Sequence, residues 1–377
     1  MTAISINNRK QFVADLWRKI ERKVNVTSER LKDTMPYKTV DGRYDDRQDV
    51  FVWWTNSFWA GILWHMFRET GMDKYKLYAE SIEAKLDKFL HDYDGIDHDA
   101  GFLWLLSSVM SYETTGSDKS RKRALLAASV LAARSTPNGG YIRAWNGAVN
   151  NGQSIIDCMM NIPLLYWASE QLQDDRFRRV ADLHAQATLT HLMRDDGSVH
   201  HIVVFDEQTG AVKAHPHGQG YASGSSWARG QSWALYGFAQ SYRWTGRDDY
   251  LSAAKRVAHY ILANLALNGY VPLCDYRQPA DSTMLDSSAG AIAACGLIEL
   301  AGFVPEAESS LYLESACRIM RALNESCAVW DDSSEALLTN SSCRFHASQM
   351  SDGVINESLI YGDYYWVEAV CKLKALL

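Results

Sequence analysis

Proline is scarce in this chain, seven residues in 377, and no Gly/Ser-rich or single-charge tract divides it. Its polar clusters are short and evenly spread, so nothing marks a linker between two domains. A hydrophobic content of 47% suffices for a large core. A length that would otherwise suggest two or three domains is therefore expected to be absorbed by one repetitive architecture, a single domain over residues 1–377. Long apolar runs are missing too. The best candidate, residues 289–304, is interrupted by Glu299 and reads as a buried helix, so no membrane partner is expected. Residues 1–10 are polar and lack the apolar core and small-residue site of a secretory leader, which predicts a cytoplasmic protein. The seven cysteines (Cys158, Cys274, Cys295, Cys317, Cys327, Cys343, Cys371) include no C-x-x-C pair and sit mostly in apolar helical patterns. They read as reduced core residues, and no zinc site is implied. A net charge of −7 withholds the basic face that phosphate backbones require, so no nucleic-acid partner is expected. The short basic run from Lys119 to Arg123 reads as a solvated helix face. An anionic substrate is still compatible if a few cations meet it inside a pocket. Oligomeric state is not written in these residues.

What is present is one phrase repeated. A polar or glycine-containing entry leads into an apolar, aromatic-rich helix, then a turn, then an amphipathic helix rich in Lys, Arg, Glu and Ala. The first copy enters at Asn56, turns at Thr70-Gly71 and continues over residues 75–89; the second enters at Asp99, turns at Thr115-Gly116 and continues over 119–133. The third enters at Asp157 and turns at Gln173-Asp174-Asp175; the fourth enters at Arg229 and turns at Thr245-Gly246. A fifth enters at Asp286 and returns over 309–323, and a sixth has only its inner half, from Gly362 onward. A helix over 9–31 supplies the missing outer partner. Apolar residues recur three or four apart in the outer helices, as at Tyr250, Ala254, Val257, Ala258, Ile261 and Leu265. The inner helices are apolar nearly all round, as doubly buried helices should be. The fold class is thus all-α, six helical hairpins, with closure favoured over an open solenoid because neither end carries a polar cap. In such a ring Asp99, Asp157, Arg229, Asp286 and Asp363 converge on one rim, and the long irregular stretches 136–154 and 198–226 cover it.

Two of those aspartates head apolar runs that otherwise have no use for charge: Asp99 in His98-Asp99-Ala100-Gly101-Phe102 and Asp157 in Ile156-Asp157-Cys158-Met159-Met160-Asn161. Burial disfavours the charged form, and a raised pKa makes a carboxylic acid useful near neutral pH. The covering loops hold Trp145, His200, His201, His215, His217, Gln219, Trp227, Arg229 and Trp233. Indole faces pack on pyranose rings, and an arginine offers a fork to a carboxylate, which together suggest a carboxylated sugar. His215 and His217 have a metal-like spacing, but no Cys or carboxylate ligands stand nearby in sequence, and no metal is expected.

These motifs, above all Gly224-Ser225-Ser226-Trp227-Ala228-Arg229-Gly230-Gln231-Ser232-Trp233-Ala234-Leu235-Tyr236, resemble the unsaturated glucuronyl hydrolases, glycoside hydrolase family 88. The resemblance runs from Trp53 to the Gly362-Asp363-Tyr364-Tyr365 ending. It implies a single (α/α)6 barrel that acts on the Δ4,5-unsaturated uronic acid at the non-reducing end of lyase-generated glycosaminoglycan di- or oligosaccharides. Where ordinary glycosidases pass through an oxocarbenium ion, this family hydrates a vinyl ether: an acid protonates C4, water adds at C5, and the hemiketal opens. No metal or redox cofactor is implied. By resemblance Asp157 is the acid/base and Asp99 its partner, binding ring hydroxyls and helping to hold Asp157 protonated. Trp145, His201, Gln219, Arg229 and Trp233 line the pocket, joined by Trp227 and Trp59. Alignment on Phe205-Asp206 selects His201 over His200.

Each assignment has a rival. Asp99, Asp157, Asp286 and Asp363 also suit helix N-caps, and for Asp286 and Asp363 that reading is preferred. The tryptophans could be core, the usual fate of tryptophan in helical proteins. Arg229 at the start of an apolar helix is poorly placed for the helix dipole unless it serves a partner. An unsaturated rhamnogalacturonyl hydrolase on pectin fragments, a sugar epimerase, and a non-catalytic oligosaccharide-binding module are the alternatives. Sulfate preference is left open: in the loop 341–357 only Arg344 and His346 offer positive charge.

Overall fold

The computed structural model describes residues 6–50, 52–91, 95–350 and 353–377. Half of the 1–10 stretch read for a leader, and two residues of the 341–357 loop, lie outside them. In chain order the helices are α1 (Ile6–Leu31), α2 (Phe58–Thr70), α3 (Asp73–Leu90), α4 (Ala100–Trp104), a π-helical turn (Leu105–Val109), α5 (Met110–Thr115), α6 (Asp118–Ala132), a 3-10 turn (Ile156–Met160), α7 (Pro163–Leu172), α8 (Asp175–His191), α9 (Ala228–Thr245), α10 (Asp248–Leu267), α11 (Ser287–Ala301), α12 (Glu306–Ser326) and α13 (Ile360–Leu376). No described helix is long and apolar enough to cross a membrane.

A helix that is apolar on every side must be packed on every side, and α11 is the extreme case, with all of its residues buried. It touches α9 on one flank and α13 on the other, with α12 behind it. The same arrangement recurs around the ring: α13 packs on α2, α2 on the π-turn, α4 on α7, and α9 on the 3-10 turn, while α1 lies outside α13. The result is the closed (α/α)6 barrel that the six repeated phrases predict. Three hairpins turn on a left-handed glycine. Gly71, Gly116 and Gly246 have φ of 69°, 74° and 67°, and their N–H groups bond Phe67, Tyr112 and Tyr242 carbonyls. Glycine adopts that conformation without steric cost and so ends each inner helix. The helix entries all face the opposite rim.

The rim carries what hydrophobic periodicity missed, a small antiparallel sheet woven from the two long loops. Strands β1 (Thr39–Val40) and β2 (Arg43–Tyr44) form a separate hairpin, whereas β3 (Gln153–Ile155), β4 (Ile202–Phe205) and β5 (Val212–Ala214) pair in that order. Ile155 stands opposite Ile202, and Ile156 N–H bonds the His201 carbonyl at 3.0 Å. That register carries His201 up to the segment holding Asp157. The cysteines are all unpaired thiols, six of them buried.

Candidate active site

A cavity of about 340 Å³ opens among the inner-helix entries, lined by Trp53, Trp54, Asp97, His98, Asp99, Trp145, Asp157, Gln219, Arg229 and Arg344 among others. Its base is aromatic: the Trp54 ring meets Phe102 at 5.5 Å and Tyr361 at 4.8 Å, and Phe102 meets Trp233 at 5.4 Å.

Asp99 occupies the N-cap position of α4, yet its side chain caps nothing. The carboxylate instead accepts a 3.1 Å hydrogen bond from the Asn161 amide, whose oxygen accepts the Phe102 N–H at 2.7 Å. Asn161 therefore does the capping, from the neighbouring hairpin, and aims Asp99 as it does so. The close approach depends on glycine, because a Cβ on Gly101 would fall 2.2 Å from the Asn161 Cα. Gly101→Ala is accordingly expected to push Asn161 away, destabilise the fold by about 1–3 kcal/mol as other overpacked cores are, and lower turnover more than substrate affinity. Urea unfolding beside steady-state kinetics checks both parts.

Asp157 lies in the 3-10 turn and faces His201, with Nε2 to Oδ2 at 3.4 Å. The Gln219 N–H donates to His201 Nδ1 at 2.9 Å. Neutral His201 must then carry its proton on Nε2 and present it to Asp157. The loop comes near enough for this only at Gly218 (φ 59°), where a Cβ would sit 1.9 Å from that ring nitrogen. The Trp227 ring packs on the other side of the imidazole, 4.5 Å away.

These surroundings separate the two carboxyls. Burial, and then the negative charge of Asp157, push Asp99 up to about 7. Burial also pushes Asp157 upward, but the His201 N–H, with the nearby His201 and His98 rings and the Arg229 guanidinium, outweighs it and leaves this carboxyl below its ordinary value. Of the two carboxyls, Asp99 is therefore the one whose surroundings favour the protonated form and Asp157 the one whose surroundings favour the charge. Two neighbours appear that the sequence reading did not single out. Asp97 is pushed up to about 6, chiefly by burial, and accepts the Asp99 N–H at 2.9 Å; buried His98 lies 3.7 Å from Asp99.

The remaining expected residues divide. Trp145 and Gln219 line the cavity, and Trp145 meets His98 edge-on at 6.2 Å. His200 points away, stacked on His215 at 4.1 Å, and the His215 Nε2–H donates to the His191 carbonyl. Trp227 backs His201 rather than lining the cavity. Trp233 is fully buried between Phe102 and Tyr365, one layer below the cavity, and Trp59 is buried with its indole N–H donating to the Lys32 carbonyl. Both are core residues, because the inner helices are apolar on every face and sequence gives no phase to choose from. Arg229 reaches the cavity wall, but its guanidinium is occupied by Asp286 and the Ser342 and Cys343 carbonyls. Asp286 is thus Arg229's partner more than a cap. Asp363 is no cap either: it sits inside α13 and accepts the Leu337 and Leu338 N–H groups and the Tyr44 hydroxyl. Arg344 makes no ion pair or hydrogen bond with another described residue and is the uncommitted cation of the cavity.

Comparison with known proteins agrees with this geometry. The model of Glycosyl Hydrolase Family 88 matches residues 27–333. An unsaturated glucuronyl hydrolase of Bacillus sp. (strain GL1) is 38% identical over 85% of this chain and 86% of its own length. An unsaturated chondroitin disaccharide hydrolase of Streptococcus pneumoniae is 31% identical over 96% and 92%. Among solved structures, an Asp-to-Asn variant of the Streptococcus agalactiae unsaturated glucuronyl hydrolase complexed with dGlcA-GalNAc6S superposes with a TM-score of 0.82, at 28% identity over 99% of this chain and 97% of that one. With a family model and relatives matched along most of its length, the chain is a hydrolase and belongs to glycosyl hydrolase family 88.

Proposed function

We propose that this hydrolase releases the Δ4,5-unsaturated uronic acid from the non-reducing end of lyase-generated glycosaminoglycan oligosaccharides by hydrating the C4=C5 vinyl ether. The observation that carries the reading is the pair of cavity carboxyls, one poised to be protonated near neutrality and the other ionised against the His201 N–H. Such a pair holds one proton in common, and its titration belongs to both members. An entering uronate adds a negative charge that favours protonation of both. Asp157 delivers the proton to C4 and, as carboxylate, takes one from the water that adds at C5. The hemiketal then opens and expels the next sugar. The net change is one water consumed, with the pair returned to its starting state. His201 steers the reacting carboxyl, Asn161 steers Asp99, and Trp145 offers a face to the ring. Seven unpaired thiols suit a reducing, cytoplasmic setting.

Arg344 is the group to bind the uronate carboxylate or a sulfate beside it, because Arg229 is already engaged. Arg344→Ala is expected to raise KM about tenfold, with kcat changed little, the signature of lost uniform binding. An unchanged KM on sulfated and unsulfated disaccharides alike would remove Arg344 from recognition. The shared proton also sets a pH limit. Since kcat/KM reports groups of the free enzyme and Asp99 loses its proton near 7, kcat/KM is expected to fall above about pH 7 and to lose that limb in Asp99→Asn.

The deciding experiment follows the ultraviolet absorbance of the conjugated double bond in unsaturated chondroitin disaccharides, with and without sulfate. Loss of absorbance establishes the hydration and ranks the substrates. An unchanged signal on all of them, with loss on pectin-derived unsaturated disaccharides, would move the assignment to rhamnogalacturonyl substrates.

A further inference from the structure

The barrel has a second cavity at its other end. It measures about 350 Å³ and is built from the C-terminal halves of the inner helices, including His65 and Arg68 of α2, Glu113 of α5, Gln240 and Arg243 of α9, and Glu368 and Lys372 of α13. The aromatic layer separates it from the active site. Phe102 lines this cavity on one side and meets Trp54 of the catalytic cavity on the other. Nothing in the proposed hydration uses this space.

Three features distinguish it from a packing gap. First, the inner helix of the second hairpin breaks its α-helical pattern here. Leu105–Val109 is a π-helical turn, and Leu105, Leu106 and Val109 all face the cavity. Such turns cost helix regularity and gather at functional sites. Second, polar groups are left short of partners. Among the described residues the buried His65 Nε2 has no hydrogen bond, and the Gln240 amide N–H reaches only the Met160 sulfur at 3.9 Å, a poor acceptor. Burial, and then Arg68 and Lys372, push His65 down to about 3, so it is neutral and offers one donor and one acceptor. Third, the lining carries three cations, Arg68, Arg243 and Lys372, against two carboxylates, Glu113 and Glu368. Glu299 ties Arg243 and Lys372 together from outside the cavity, Arg68 meets Glu113 at 3.5 Å, and Glu368 accepts the Tyr236 hydroxyl. The cations are thereby held in place at the wall.

We propose that this rear cavity is a second binding site, for a small polyhydroxylated monocarboxylate of sugar-acid size. The volume falls within the range of small-molecule pockets. Arg243, half exposed and paired with Glu299 through one terminal nitrogen, keeps further N–H groups of its planar fork for the ligand's single carboxylate. The Gln240 amide and His65 imidazole bond hydroxyls, and the rings of Phe102, Tyr364 and Tyr365 take the C–H faces of the sugar.

The test is equilibrium dialysis of labelled glucuronate, with labelled glucose in parallel, against the full-length wild type, Gln240→Leu, Arg243→Gln and, as a control at the catalytic end, Arg344→Ala. The expected result is two classes of glucuronate site in the wild type. One class weakens at least tenfold in both rear variants, persists in Arg344→Ala, and prefers glucuronate over glucose at least tenfold. Turnover of unsaturated disaccharide in the rear variants stays within about twofold of wild type, which shows that they fold and that the catalytic end is intact. A single class of site, or a second class that both rear variants leave untouched, overturns the proposal. A second class that binds glucose as tightly as glucuronate overturns the assignment of a carboxylate ligand.

Discussion

Asp157→Asn is expected to lower kcat by about 10³-fold, the range of a lost general acid, while unsaturated disaccharide still binds with an affinity within about threefold of wild type. The substitution keeps the size of the side chain and its place in the 3-10 turn, so the β3–β4 register that brings His201 alongside is undisturbed. What disappears is the one group that can both give a proton to C4 and take one from water. A purely structural role predicts something else, namely loss of thermal stability together with weakened binding. The variant also carries a second readout. Because the Asp157 charge is one of the two influences that raise Asp99, the Asp99 carboxyl of the variant is expected to titrate at lower pH, visible in its carboxyl carbon chemical shift. Full turnover in Asp157→Asn, or an unmoved Asp99 titration, would remove Asp157 from the centre of the reaction.

Most of the scaffold was legible because its signals are local. The Thr-Gly turns at 70–71, 115–116 and 245–246 announce left-handed helix ends, and the polar–apolar alternation of the outer helices announces their buried faces. Asp99, Asp157, Trp145 and Gln219 were found through motif and loop position, and they do meet in one cavity. The failures share a cause. Inside a helix buried on all sides every position is apolar, so the sequence of α2 or α9 has no phase to say that Trp59 and Trp233 face away from the cavity. The β3–β4–β5 sheet joins segments some fifty residues apart through three or four residues per strand, too few for alternation to register. The order of protonation in the carboxyl pair was also beyond reach, since it depends on which nitrogen of His201 the Gln219 backbone fills. Asn161 stood in the Asp157 motif from the start; its role depends on a contact with α4 that only Gly101 permits.

Asp286→Ala is expected to be the most destabilising single change at this rim, by about 3–5 kcal/mol, because it strands a buried charge. Asp286 is fully buried and accepts from Arg229 and from the Ser288 hydroxyl, and Arg229 itself is 2% exposed. An arginine in the first turn of α9 also stands against the positive end of the helix dipole, so the carboxylate offsets two unfavourable terms at once. The pair does positional work as well. From α9 the guanidinium reaches Asp286 ahead of α11, and the Ser342 and Cys343 carbonyls next to Arg344. Removing the carboxylate should therefore loosen the loop that presents Arg344, and KM should rise along with the loss of stability measured by chemical denaturation. The double variant Arg229→Met/Asp286→Leu separates the two effects. Replacing a buried ion pair by apolar groups of similar volume is often close to neutral, so this variant should recover most of the lost stability and still bind substrate poorly. Should Asp286→Ala instead cost less than about 1 kcal/mol, solvent reaches the pair and Arg229 is free to serve substrate after all.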